Sequence, residues 1–171
     1  MPVMPVVFLF LALVDALALG ATLWLGLAWE TQGPRLLQLH MLAGLVASVV
    51  TVLTHSTVIF HVVGLGRSIK EAQPLVDTGG RDYYLENRKL AAKSHPLPVL
   101  VCLLAVVTPI LGQAANLQVP AGRAHFVLGA VLLGLHVLVT PIEVRNIVRA
   151  DRIARELEAL LEAKLGAGET R

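Results

Sequence analysis

Four long stretches of the chain are almost purely apolar, at about residues 5–28, 36–66, 96–117 and 123–142. Polar and charged residues crowd between and after them. At about 1.5 Å per residue, a helix over each stretch reaches the roughly 30 Å of a hydrocarbon core. The second stretch has no charged side chain and carries three of the six histidines, His40, His55 and His61. With a helical period, His40, Gly44, Ser48, Thr51 and His55 fall on one face. Lipid offers a stripe of small and polar side chains nothing, so this face should meet protein or a cofactor. The pattern predicts an all-α, integral membrane four-helix bundle with a cytosolic amphipathic C-terminal helix.

The connections at residues 30–35 and 118–122 are short, which makes successive helices antiparallel neighbours. Gly33-Pro34 should break the chain between the first two. The first stretch reads as a retained helix, because no Lys or Arg precedes it and it exceeds a signal-peptide core in length. Trp24 and Trp29 suit an interfacial belt at its far end. Pro109 should kink the third helix, and Thr140-Pro141 marks the exit of the fourth. The polar segment 67–94 should extend the second helix, turn at Asp77-Thr78-Gly79-Gly80, and form another helical piece over residues 81–94. Tyr83 and Tyr84 are expected near headgroup level. In the tail, residues 143–165, Ile153, Leu157, Leu160, Leu161 and Leu165 mark an apolar face, with Gly166 and Gly168 ending the helix. This face should lie on the membrane surface, on segment 67–94, or on a protein partner.

Composition agrees: 56% of the residues are hydrophobic, 15% are charged, and the mean hydropathy is +0.72. Charge distribution sets the orientation. Segment 67–94 holds Arg67, Lys70, Arg81, Arg88, Lys89 and Lys93, and the tail holds Arg145, Arg149, Arg152, Arg155, Lys164 and Arg171. The opposite side holds Arg35 and Arg123. The positive-inside rule then places both termini in the cytoplasm, as expected of a multi-pass protein of a bacterial inner membrane. The net charge of +2 is explained by this asymmetry and does not indicate nucleic acid. The lone Cys102, within an apolar stretch, reads as a packing residue.

The two hairpins resemble each other. Gly26, Ala28, Gln32 and Pro34 recur at the same spacing as Gly112, Ala114, Gln118 and Pro120. With one residue of slippage, His40 and Gly44 match His125 and Gly129. A tandem duplication of this kind sets the second and fourth helices across a pseudo-axis, with His40 opposite His125.

By depth the histidines form three layers: His40 with His125, His55 with His136, and His61 with His95. On the fourth helix His125, Gly129, Leu132, His136 and Thr140 share a face. Two parallel helices bearing facing histidines are what bis-histidine ligation of haem b requires. Gly44 and Gly129 would let a flat macrocycle approach, and Arg35 and Arg123 could hold its propionates. The arrangement resembles cytochrome b561-type membrane anchors in architecture. His40 and His55 are 15 positions apart but His125 and His136 only 11, so the outer pair is the cleaner haem candidate.

Asp15, in the middle of the first stretch, should turn inward and reach His55, His136 or a threonine, as a proton relay or a structural hydrogen bond. There is no P-loop, HExxH, CxxC or GxSxG, which argues against familiar soluble-enzyme chemistry. Three functions fit: a haem-binding electron-transfer subunit, a cofactor-free accessory subunit whose segments 67–94 and 143–165 bind a protein partner, or a proton- or ion-coupled carrier centred on Asp15.

Overall fold

The structure is a computed structural model that describes the backbone of residues 3–32, 34–116 and 122–169 and the side chains of residues 3–28, 35–113 and 123–166. It comprises five α-helices: α1 (Val3–Gln32), α2 (Pro34–Ala72), α3 (Tyr83–Ser94), α4 (Pro96–Asn116) and α5 (Gly122–Glu169). A 3-10 turn, Gln73–Leu75, follows α2. Four helical stretches are long and apolar enough to cross a membrane.

The buried positions explain the assembly. Along α1 they are Pro5, Phe8, Ala12, Asp15 and Leu19; along α5 they include Leu132, His136, Val139, Glu143, Ile147 and Ala150. These steps of three and four follow the heptad seam of an antiparallel bundle. Outward positions such as Phe10, Leu17, Leu42, Leu53, Phe60 and Leu138 are large, apolar and exposed, as a lipid-facing surface needs. In the bundle α2 packs between α1 and α4, and α5 does the same on the other side. The parallel helices α2 and α5 also meet across the centre, so their histidines face one another.

Several boundaries differ from the sequence expectation. The connection at 30–35 contracts, since α1 runs to Gln32 and α2 starts at Pro34, where proline is at home in a first turn. The fourth stretch does not end at 142: α5 continues through Pro141 to Glu169, about 72 Å at 1.5 Å per residue. A mid-helix proline removes one hydrogen bond, and here the buried seam persists beyond it through Glu143, Ile147 and Ala150. The threonines that precede Pro109 and Pro141 donate their hydroxyls to carbonyls one turn back: Thr108 to Leu104 and Thr140 to His136, at 2.7 Å each. Gly166 and Gly168 do not stop α5. The connection at 118–122, with Gln118 and Pro120 of the repeat, lies almost wholly outside the described residues, as do the side chains of Trp29, Gln32, Pro34 and Ala114.

At the end of the bundle away from the hairpin connections, the polar segment folds back onto the long helices. The turn is made by Gly79 and Gly80 at φ +60° and +84°, with the Gly79 amide donating to Asp77 Oδ1 at 2.9 Å. Asp82 caps α3 by accepting from the Leu85 amide at 2.9 Å. Ile69, Tyr83, Leu90, Ile153 and Leu157 join Phe8, Val58 and Val62 in one core, so Ile153, Leu157 and, in part, Leu160 of the tail's apolar face pack on the chain itself, while Leu165 is exposed. Tyr83 is therefore buried in protein under the Arg81 guanidinium. Arg81 also bonds Glu86 and Glu156, tying α3 to α5.

Candidate functional site

Near the hairpin end, His40 on α2 and His125 on α5 point their Nε2 atoms at each other across 3.4 Å. Each ring is fixed from behind: His40 Nδ1 is 2.9 Å from the Thr22 carbonyl, and His125 Nδ1 is 2.9 Å from the Thr108 carbonyl. A carbonyl can only accept, so both Nδ1 atoms carry the proton in the neutral rings. Both Nε2 atoms are then bare, and two lone pairs face one another with no hydrogen between them. A second partner holding the far ring nitrogen is the usual support of a metal-bound histidine.

The backbone beside each ring is glycine. A Cβ on Gly26 would stand 2.9 Å from His40 Cε1, and one on Gly112 would stand 2.8 Å from His125 Cε1. Any other residue at either position would push the imidazole aside. Next to the pair is a cavity of about 950 Å³ lined chiefly by apolar side chains, with Gly44 and Gly129 in its walls and Arg123 at its rim. That is at the upper end of the range of about 300–1,000 Å³ for small-molecule and cofactor sites. Arg35 is exposed and is not among the lining residues.

The repeat is visible in this geometry. Thr22, Gly26 and His40 do for one ring what Thr108, Gly112 and His125 do for the other. The Thr-to-His separation is 18 positions in the first copy and 17 in the second, which reproduces the one-residue slip. Sequence reasoning paired Gly26 with Gly112 but gave them no role, and it overlooked Thr22 and Thr108. Their matched spacing was the available signal.

The second layer is asymmetric. At the 85-residue offset that relates His40 to His125, Thr51 corresponds to His136 and His55 to Thr140. His55 Nε2 lies 3.0 Å from His136 Nδ1. His136 Nε2 donates to the Ala12 carbonyl at 2.9 Å, and His55 Nδ1 is 2.8 Å from Glu143 Oε1. Asp15 Oδ2 is 3.2 Å from His136 Nδ1, and Asp15 Oδ1 accepts from the Thr51 hydroxyl at 2.7 Å. Asp15, Thr51 and His55 are 0% exposed, and His136 and Glu143 1%. Asp15 thus turns inward to both kinds of partner expected of it. Glu143 was assigned to the solvated tail; its role follows only from the continuity of α5 through Pro141. The large cavity stops one turn short of this layer, at Leu19, Ala47 and Leu132.

The third layer does not come together as a pair. His61 Nε2 bonds Asp151 Oδ1 at 2.7 Å, whereas His95 sits at the junction of α3 and α4 with its buried Nε2 lacking a hydrogen-bond partner among the described residues. Cys102 is half-buried with Sγ 3.9 Å from the Ser56 hydroxyl, as a packing residue would be.

Comparison of the chain with protein-family models, with curated proteins and with solved structures finds no match.

Proposed function

We propose that the chain is a multi-pass protein of the bacterial inner membrane, with both termini in the cytoplasm, that holds one haem b between His40 and His125 and passes single electrons to a partner. The observation that carries this reading is the pair of bare Nε2 atoms, each ring locked by a threonine carbonyl and each set against a glycine, beside a large apolar cavity. A metal between the two nitrogens removes the repulsion of their lone pairs. His40 and His125 would hold the group through these two nitrogens, which stand 3.4 Å apart. Gly44 and Gly129 leave room for a flat ring in the cavity, and Arg123 offers a propionate partner at its rim.

Bound there, haem supplies a one-electron ferric/ferrous couple. The chain's part would be to hold the group through His40 and His125, each fixed by a threonine carbonyl, and to exclude water. Orientation rests on the basic residues, twelve of which lie at the end of the bundle away from the hairpin connections or in the tail, against Arg35 and Arg123 at the other end.

The test is the visible spectrum of the purified protein, oxidised and dithionite-reduced, after expression with adequate haem. A Soret band with a sharp α-band on reduction is expected, and His40→Ala or His125→Ala should abolish both while the protein still inserts. A haem-replete preparation without an α-band overturns the reading and favours a cofactor-free accessory subunit or a carrier.

A further inference from the structure

The second layer has two carboxylates and two imidazoles, all buried, with no Lys or Arg bonded to any of them among the described residues. We infer that Asp15, His55 and His136 form a second, separate metal site, one that binds a divalent first-row transition ion of the zinc class.

The atoms converge as ligands do. Asp15 Oδ2, His55 Nε2 and His136 Nδ1 all lie within 4.8 Å of one another. Two of the separations are 3.0 and 3.2 Å. With metal bonds of about 2.0–2.1 Å, neighbouring ligands of a tetrahedral ion stand about 3.3 Å apart. Two of the three separations are therefore near the loaded value, and the third, between Asp15 and His55, is no more than 4.8 Å.

Each ligand also has the support that a metal site needs. The Ala12 carbonyl fixes the proton of His136 on Nε2 and leaves Nδ1 bare. Glu143 accepts from His55 Nδ1, which leaves Nε2 bare, the carboxylate–histidine–metal relay seen around zinc. Thr51 holds the other oxygen of Asp15 and aims Oδ2 at the same point. Asp15 Oδ2 has no hydrogen-bond partner of its own, although the residue is wholly buried.

A proton is the rival occupant. Placed on His136 Nδ1, it would be shared between His55 Nε2 and Asp15 Oδ2. It brings one positive charge to two buried carboxylates, Asp15 and Glu143, and leaves a net negative charge in the bundle interior, where an uncompensated charge is expensive. A divalent ion neutralises both. Two imidazoles and a carboxylate suit Zn²⁺, Fe²⁺ or Co²⁺ and are too nitrogen-rich for Ca²⁺ or Mg²⁺.

This inference does not depend on haem, and its experiment keeps the two apart. The full chain is purified in detergent as the His40→Ala variant, which lacks the proposed haem ligand, stripped with a chelator and titrated with Co²⁺. One equivalent should bind, with visible d–d bands of a tetrahedral or five-coordinate ion. Asp15→Asn retains the bond to Thr51 and should weaken binding at least tenfold. His136→Ala should abolish it. Glu143→Gln should weaken it by about 10- to 100-fold, the usual effect of losing an outer-shell carboxylate. Circular dichroism checks that each variant is folded. No stoichiometric Co²⁺ on the folded protein, or binding that Asp15→Asn leaves unchanged, overturns the site. A shared proton then remains, visible as an imidazolium ¹⁵N shift at His136.

Discussion

The Thr51 hydroxyl donates to Asp15 Oδ1 across 2.7 Å, joining α2 to α1 at the centre of the bundle. The same hydroxyl is 2.9 Å from the Ala47 carbonyl. Whatever fills the second layer, this bond has a measurable consequence. Asp15→Asn keeps an acceptor for Thr51 and should leave the unfolding transition nearly unchanged. Asp15→Leu leaves Thr51 only the Ala47 carbonyl and removes the carboxylate beside His136 in a buried layer. It should lower stability by about 1–3 kcal/mol, read from thermal or denaturant unfolding in detergent. Equal stability of the Leu and Asn variants would show that the contact contributes nothing.

Orientation gives a second prediction. A reporter that is active only in the cytoplasm, fused after Arg171, should be active, and one fused in the connection at 118–122 should be silent. The reverse result would invert the topology drawn from the basic residues.

Much of this could be read from spacing alone. The four long apolar helices, the shared face of His40, Gly44, Thr51 and His55, and the inward turn of Asp15 all follow from periodicity and from the cost of polar groups in lipid. What escaped was tertiary. Glu143 was invisible because Pro141 suggested a helix end, and only the buried positions beyond it keep α5 going. Thr22 and Thr108 act through their carbonyls, which every residue carries, so only their matched spacing in the two copies marked them. The different histidine spacings, 15 against 11 positions, signalled that the second layer is not a copy of the first. At the 85-residue offset each histidine there corresponds to a threonine of the other repeat.

Acid sensitivity should be local to the cap of α3. The amide of Leu85 and then the side chain of Gln73 hold the Asp82 carboxyl below its ordinary value. A carboxyl with a lowered folded-state pKa contributes stability above its unfolded value, about 3.9, and loses it as pH falls through the lower folded value. Hydrogen exchange at the Leu85 amide should therefore be protected at neutral pH and lose protection below about pH 4. Asp82→Asn is an equally good cap and should flatten that pH dependence without fraying α3. An unchanged acid transition in the Asn variant would assign it to Glu86 or Glu156 on Arg81 instead.

The glycines behind the outer histidines offer the sharpest separation of site from scaffold. Gly26→Ala places a methyl group 2.9 Å from His40 Cε1, and Gly112→Ala one 2.8 Å from His125 Cε1. Neither ring can retreat without breaking its Nδ1 bond to Thr22 or Thr108. Overpacking of this kind costs about 1–3 kcal/mol where the neighbours are fixed. It can be relieved by rotating the imidazole, which takes Nε2 off the line between the two helices. Each variant should therefore keep the helical circular dichroism of the parent and lose most of its Soret absorbance, with the double variant no worse folded than the sum of the singles. Gly134→Ala is the control: its Cβ meets nothing within 4 Å, and alanine gains about 0.5–1 kcal/mol over glycine in a helix. It should leave the spectrum intact and raise the unfolding midpoint slightly. If Gly26→Ala and Gly134→Ala load haem equally well, the pocket beside His40 and His125 is not where the haem sits.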